Sequence, residues 1–254
     1  MAGSLLALFQ LYHSYQLQTP AEHGIDEIFL DRHRHFSDEE WKTLASSART
    51  SFKVLGLTNH GYVNKGQRDT YRETFRDVLG RARRLEVDIL FLDPEWHAII
   101  EARDFDERRS TRWDLLDSII TFATEIRDNI PEGDRPRMRL WKYRVIPTCG
   151  ITWVDEDLMI VTHYASHEDN LNSPGYTLRN YRIPSLFRRM RLLGSEESLY
   201  DVYRRNFQYV YGRKWPITAD DIETYKRMKE EIDATGDVVS EEDRRDLGAG
   251  TEGE

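Results

Sequence analysis

Histidine and acidic side chains gather around the end of a predicted β-hairpin. His163 lies in the last strand of that hairpin, His167 and Asp169 follow it, and Asp155 lies in the turn. Imidazole and carboxylate groups together can move protons in general acid–base catalysis or activate a metal-bound water. One hypothesis is therefore a hydrolytic site made of His163, His167 and either Asp155 or Asp169. The alternative is a loop whose polar side chains form local hydrogen bonds, and the pattern favours this loop over a hydrolytic site.

A second group of polar residues follows the ends of predicted parallel strands. Asn59 and His60 come after the second strand, and Asp93 comes after the third. Open α/β sheets bind ligands beyond the carboxyl ends of such strands, so Arg144 and Thr148 are expected to join them around one pocket. Turn formation and capping explain Asn59 and Asp93 equally well. The candidate ligand-binding residues are Asn59, His60, Asp93, Arg144, Thr148, Asp155 and His163.

Other short patterns carry no specific chemistry. His33 and His35 are spaced for two metal ligands in an extended segment, but arginines flank them and no Cys or Glu partner is identifiable, so no metal site or cofactor is predicted. Gln67 stands where a phosphate-binding loop needs lysine. The single cysteine, Cys149, excludes an internal disulfide, indicates a reducing, cytoplasmic compartment and is expected to be a small buried residue.

Hydrophobic periodicity indicates which elements must position these residues. Strands are expected near 25–30, 51–57, 87–92, 138–145, 151–154, 158–164 and 176–183. Helices are expected at 1–18, 37–48, 66–84, 95–130 (interrupted near 104–109), 185–193, 196–212 and 218–234. Alternation of strand and helix through residue 92 predicts parallel βαβ units, and the hairpin at 149–164 makes the sheet mixed.

The 254 residues, of which 39% are hydrophobic, suit one sizeable domain with appendages. We expect an N-terminal helix at 1–24, an α/β domain at 25–217, a C-terminal helix at 218–235 and a disordered acidic tail at 236–254. No segment reaches the roughly 18–20 apolar residues of a bilayer span. The short apolar run at 5–9 fits an amphipathic helix better than a signal peptide.

Charge argues against nucleic acid as the main partner. The formal net charge is -9, which disfavours binding through the overall field of the protein. Arginines nevertheless cluster in one region, where a solvated helix face is the main interpretation and an anion or nucleic-acid surface is the minority one. They are Arg188, Arg189, Arg191, Arg204 and Arg205.

The order of the elements resembles a phospholipase D-like half-domain. That family's motif is His-x-Lys, four residues, Asp, six residues, Gly-Ser, one residue and Asn. If its Asp is placed on Asp155, Thr148 takes the histidine position and Gly150 the lysine position. Thr162 and His163 fall on the Gly-Ser pair, and an alanine falls on the Asn. Asp155 is thus the one residue of the motif that this sequence keeps.

A degenerate, sensor-like branch of the same superfamily, found in bacterial transcriptional regulators, is also similar over residues 25–217. The shared features are Leu92-Asp93-Pro94, the acidic strand-turn-strand from Pro147 to Asp157, and an aromatic helix from Phe207 to Trp215. This resemblance implies a phospholipase D-like mixed β-sheet flanked by helices, here with extra N- and C-terminal helices. It also implies possible pairing of two copies as a homodimer.

Loss of the family's histidine and lysine decides between two functions. Threonine is a poor substitute for an imidazole nucleophile, and glycine offers no cation to hold phosphate oxygens. We therefore expect a non-catalytic, regulatory module that senses a small-molecule or protein ligand, with a separately encoded partner. The alternative is a phosphodiesterase or nuclease with a rebuilt, non-family active site at His163, His167 and Asp155.

Overall fold

A computed structural model describes residues 25–29, 37–63, 68–96, 111–145, 147–163, 175–179 and 198–235. Several expectations fall outside these residues. They are the helices at 1–18 and 185–193, the His33–His35 pair, Gln67, His167, Asp169, the arginines at 188–191 and the acidic tail.

The described strands form one mixed sheet. They are β1 (Ile25–Phe29), β2 (Ser51–Leu55), β3 (Glu86–Leu92), β4 (Met138–Tyr143), β5 (Cys149–Val154), β6 (Leu158–His163), β7 (Gly175–Arg179) and β8 (Lys214–Pro216). Their order across the sheet is β1-β7-β6-β5-β2-β3-β4-β8. Strands β2, β3 and β4 are parallel, and every other described pair is antiparallel.

Helices flank this sheet, so the predicted mixed α/β architecture is confirmed. They are α1 (Asp38–Ser47), α2 (Arg68–Arg81), α3 (Thr111–Thr121, continued by a π-helical turn at Phe122–Arg127), α4 (Leu199–Tyr211) and α5 (Ala219–Thr235). A short 3-10 helix occupies His60–Tyr62 and another Arg135–Arg137. Ser37 and Glu40 form the capping box that starts α1, as their spacing predicts.

The prediction of parallel βαβ units through residue 92 is right for β2-α2-β3, and the structure adds a further parallel unit, β3-α3-β4. Strand β1 lies at the far edge of the sheet, where it pairs antiparallel with β7 instead of lying beside β2. The alternation of elements gives their order but not their partners. Strand β8 is an addition to the predicted set, because its three residues, which include Pro216, are too few to show a periodic pattern.

The two faces of the sheet are covered differently. On the first face, Phe52 and Phe91 pack edge-on against Phe75 of α2 and Phe122 of the π-helical turn, with ring centroids 5.7 and 5.6 Å apart. On the second face, Trp153 packs against Phe207 of α4 at 5.2 Å. Successive residues of a strand point to opposite faces, so this assignment fixes the direction of every strand side chain considered below.

The second face carries a buried carboxylate, Asp88. Arg139 donates to it from Nε at 2.7 Å and from a terminal nitrogen at 3.0 Å, and Trp141 Nε1 and the Tyr211 hydroxyl donate at 2.8 and 2.6 Å. Burial alone would raise the pKa of Asp88, but these donors outweigh it and lower that pKa. Because Tyr211 belongs to α4, the network joins this helix to β3 and β4.

Candidate functional site

A cleft of about 110 Å³ opens where the parallel strand β2 ends. Antiparallel strands β5 and β6 border it, since Leu55 of β2 pairs with Ile151 and Gly150 pairs with Thr162. Hydroxyl and imidazole groups line it between apolar walls. The polar side chains in the lining are Thr58, Asn59, His60, Tyr62, Thr152 and Thr162.

Asn59 shapes the loop that forms one wall of the cleft. Its backbone is left-handed, with φ at 54°, and its Nδ2 donates to the Leu90 carbonyl at 2.9 Å. A Cβ on Gly56 would lie 1.9 Å from the Asn59 Oδ1 atom, so a larger residue there would displace the Asn59 amide. Tyr143 holds the same loop by donating to the Gly56 carbonyl at 2.9 Å. Asn59 therefore lies at the predicted site, and its amide nitrogen supports the turn.

His60 brings an ionisable group to the cleft. Its Nδ1 atom lies 3.6 Å from a carboxylate oxygen of Asp114, and the two side chains are 19% and 10% exposed. Asp114 belongs to α3 and is not among the described residues that line the cleft. The neighbouring Trp113 ring lies 6.5 Å from the imidazole. The helix thus places a carboxylate behind the imidazole, at a distance that suits an ion pair when the ring is protonated.

Asp93 and Arg144 come together, but as an ion pair outside the described cleft lining. Arg144 Nε donates to Asp93 at 2.9 Å, and the other Asp93 oxygen accepts from the backbone N–H of Glu95 at 3.1 Å. Asp93 is almost fully buried, whereas the Arg144 side chain is half exposed. Neither residue is among the described residues that line the cleft with Asn59 and His60, and the pair fixes the turn after β3.

His163 and Thr148 are also outside the described cleft lining. His163 follows Thr162 and therefore points to the second face, where its Nε2 lies 3.0 Å from the Tyr203 hydroxyl of α4. Burial raises the pKa of Tyr203 to about 12, which keeps this hydroxyl protonated near neutral pH. Thr148 is exposed at the start of β5. Burial raises the pKa of the neighbouring Cys149 thiol to about 11, so Cys149 is a poor nucleophile.

Asp155 lies at the opposite end of the sheet from the cleft. Strand β5 carries the chain from Thr148 to Asp155 over roughly 23 Å, at about 3.3 Å per residue. The Asp155 carboxylate accepts the backbone N–H groups of Arg49, Thr50 and Ser51 at 2.7–2.9 Å. Burial is the largest single influence and would raise the pKa of Asp155. The hydrogen bonds together outweigh it, so they lower that pKa.

Taken together, the structure divides the predicted site. It brings Asn59 and His60 to the cleft and sends Asp93, Arg144, Thr148, His163 and Asp155 elsewhere. Because His163 and Asp155 lie at opposite ends of the sheet, they cannot act together in one active site. Sequence reasoning missed Asp114, Tyr62, Thr152 and Thr162. The strand threonines were detectable from the period-2 pattern of β5 and β6, whereas nothing in the sequence linked Asp114 to His60.

Two further kinds of site, a metal cluster and a membrane-spanning helix, are absent from the described ranges. Within those ranges, no group of three or more His, Cys, Asp and Glu side chains is arranged to hold a metal ion. Likewise, none of the described helices combines the length and the hydropathy that crossing a membrane requires.

Comparison with known proteins gives structural likenesses only. No family model matches the chain, and no curated protein matches it. Among solved structures, the phospholipase D family member Nuc from Salmonella typhimurium is 10% identical, with 75% of this chain and 97% of that chain covered and a TM-score of 0.36. TrmBL2, an archaeal chromatin protein with a novel mode of DNA binding, is 13% identical, with 74% and 60% covered and a TM-score of 0.32. The first is a member of the family that the sequence resembles. Because both TM-scores lie below 0.5, neither likeness carries an argument about function.

Proposed function

We propose that this chain is a non-catalytic regulatory module that binds a small molecule in the cleft beside His60. The observation that carries the proposal is the lining of that cleft. Among the described lining residues, four side chains offer hydroxyl groups, one offers an imidazole, and none is Lys, Arg, Asp or Glu. A concave site with a few convergent polar groups between apolar walls is the usual form of a small-molecule site.

The same lining supports the absence of phosphodiester chemistry. Gly150, at the family's lysine position, lies in the cleft wall and supplies no cation. Thr148, at the position of the family's nucleophile, is exposed outside the described lining. The alternative of a rebuilt phosphodiesterase or nuclease loses support in the form that uses Asp155, since His163 and Asp155 lie at opposite ends of the sheet.

A regulatory role is supported by the contacts that lead away from the cleft. Trp113, beside His60, donates from Nε1 to Asp233 of α5 at 2.7 Å. Lys229 of α5 lies 4.6 Å from the centre of the Trp113 ring and 3.2 Å from Asp117 of α3. Movement of His60 or its helix on ligand binding would therefore reach α5. This helix is the element through which we expect the module to act on a partner.

The test is a ligand screen with a matched pair of variants. Small polar compounds of up to about six heavy atoms suit a cleft of this size, since an engineered cavity of about 150 Å³ holds benzene. They are screened at millimolar concentration by thermal shift, and ligand-observed NMR verifies each hit. Thr162→Val removes a hydroxyl from the cleft without changing its shape. Thr177→Val makes the same change on β7, on the same face of the sheet but outside the described lining.

We expect hits that bind the wild-type protein and the Thr177→Val variant and bind Thr162→Val several-fold more weakly. A screen without any verified ligand would contradict the proposal. So would ligands whose affinity is equal in both variants, because they would bind elsewhere. Turnover of a hit, seen as new NMR signals, would show that the module is an enzyme.

Other expectations on partners remain proposals. We propose that two copies pair as a homodimer, that a separately encoded partner reads the ligand state and that the protein works in the cytoplasm. Light scattering measures the oligomeric state directly, and a monomer at all micromolar concentrations would contradict the first of these. Nucleic acid stays the less favoured partner because of the net charge of -9.

A further inference from the structure

We propose that the ligand of the cleft is a short-chain monocarboxylate whose charged head is bound by His60, with Asp114 behind the imidazole. This inference rests on the proposed function, since it names the chemical class that the same cleft would take. It depends on three features: an imidazole next to a buried carboxylate, hydroxyl groups on the other walls, and an apolar region of limited length.

Protonation of His60 would put a positive charge at one end of the cleft. When the imidazole is protonated, Nδ1 and the Asp114 carboxylate 3.6 Å away form an ion pair. The Asp114 side chain is only 10% exposed and lies outside the described lining, so the imidazolium is nearer to a bound ligand than the carboxylate is. Coulomb interaction weakens with distance, so an anion in the cleft gains more from the imidazolium than it loses to Asp114.

Hydroxyl groups supply the remaining donors that a carboxylate needs. Its two oxygens provide about four acceptor sites. Thr58 and Thr162 both line the cleft, and their hydroxyl hydrogens rotate to suit an acceptor. The hydroxyls of Tyr62 and Thr152 lie 2.7 Å apart and bond to each other, which fixes the wall between them. None of the described lining residues is acidic, so no carboxylate of the lining repels an anion that accepts these hydroxyls.

The apolar walls and the volume limit the rest of the ligand. Val54 and Ile160, which pair with Thr152 or share its face, line the cleft together with Trp41, so an alkyl group fits beside the polar end. About 110 Å³ holds a ligand of roughly five or six heavy atoms, by comparison with benzene in about 150 Å³. Propionate and butyrate have this size. Phosphate and its esters fit poorly, because none of the described lining residues is Lys or Arg.

Propionate and its neutral isostere propionamide test the role of charge. Both are titrated into the full chain at about pH 6, where an ordinary imidazole is largely protonated, with sodium chloride keeping the ionic strength constant. Saturation-transfer NMR gives both dissociation constants. We expect propionate to bind at least about tenfold more tightly, the ratio expected for one charge-assisted hydrogen bond. His60→Gln should remove that preference, while Thr177→Val should keep it.

Each result separates this inference from the proposed function. Equal binding of the two isosteres overturns the carboxylate assignment and leaves a small-molecule site. The carboxylate assignment is also overturned if propionate and butyrate do not bind while other screened compounds bind and lose affinity in Thr162→Val. Failure of every compound contradicts the proposed function as well. The comparison of isosteres uses the wild-type protein, so it is valid even where His60→Gln does not fold.

Discussion

Asp155 joins parts of the chain that are about a hundred residues apart, and we predict that Asp155→Asn destabilises the fold. Its carboxylate accepts three backbone N–H groups and the Thr50 hydroxyl, at 2.7–2.9 Å. Hydrogen bonds to a charged group contribute about 1.5–3 kcal/mol each when buried. At this partly exposed site, water hydrogen bonds make up part of the lost stabilisation. The Oδ1 atom of the asparagine keeps another part, because it still accepts a hydrogen bond. The expected loss is therefore about 2–4 kcal/mol in the free energy of unfolding, well below the sum of four bonds.

Urea and thermal denaturation measure this loss. For a chain of this size, about 2–4 °C per kcal/mol corresponds to a fall in Tm of about 5–12 °C. Asp157→Asn is the matched control, because it removes the same charge from the same exposed hairpin turn. Equal stability of the two variants would refute the role of the carboxylate. A loss of ligand binding in Asp155→Asn at unchanged stability would show instead that the aspartate belongs to a functional site.

Three further predictions concern stability. Gly56→Ala places a Cβ 1.9 Å from the Asn59 side chain, so we expect a loss of about 2–4 kcal/mol in urea denaturation. Thr177→Val replaces a buried hydroxyl that has no hydrogen-bond partner among the described residues, so we expect unchanged or higher stability, by up to about 1–2 kcal/mol. The pKa values of Asp88 and Asp155 are lowered in the folded state, so their stabilisation is present above the unfolded value near 3.8 and is lost as the pH falls below it. Denaturation measured between about pH 6 and pH 2 should show this acid loss, with a smaller loss in Asp155→Asn.

Local signals in the sequence predicted most of the elements but not all of their partners. The capping box of Ser37 and Glu40 and the strongly apolar β3 depend on residues close in sequence, and the structure has both where expected. The partner of β1 depends on β7, about 150 residues away, as the Asp26–Arg179 ion pair illustrates. No local pattern encodes such a contact, so the sequence did not show which strand β1 pairs with.

The candidate site was predictable where it depended on strand direction alone. Asn59 and His60 follow the parallel strand β2, and they reach the cleft because ligand sites lie beyond the carboxyl ends of such strands. The position of Asp155 was equally predictable in principle. It lies in the turn of a hairpin whose first strand begins at the cleft, so it must lie one strand length away from that cleft.

His163 shows the limit of a motif-based alignment. Register places it next to Thr162 and opposite Cys149, but the period of two turns its side chain to the face covered by α4. An alignment treats Thr162 and His163 as neighbours in one constellation, whereas a β-strand separates them onto different surfaces. The retained Asp155 has a structural role that needs no active site. Its presence in a motif that lacks the histidine and the lysine is therefore no sign of remaining catalysis. His60 and the threonine-lined cleft are the better candidates for a functional site.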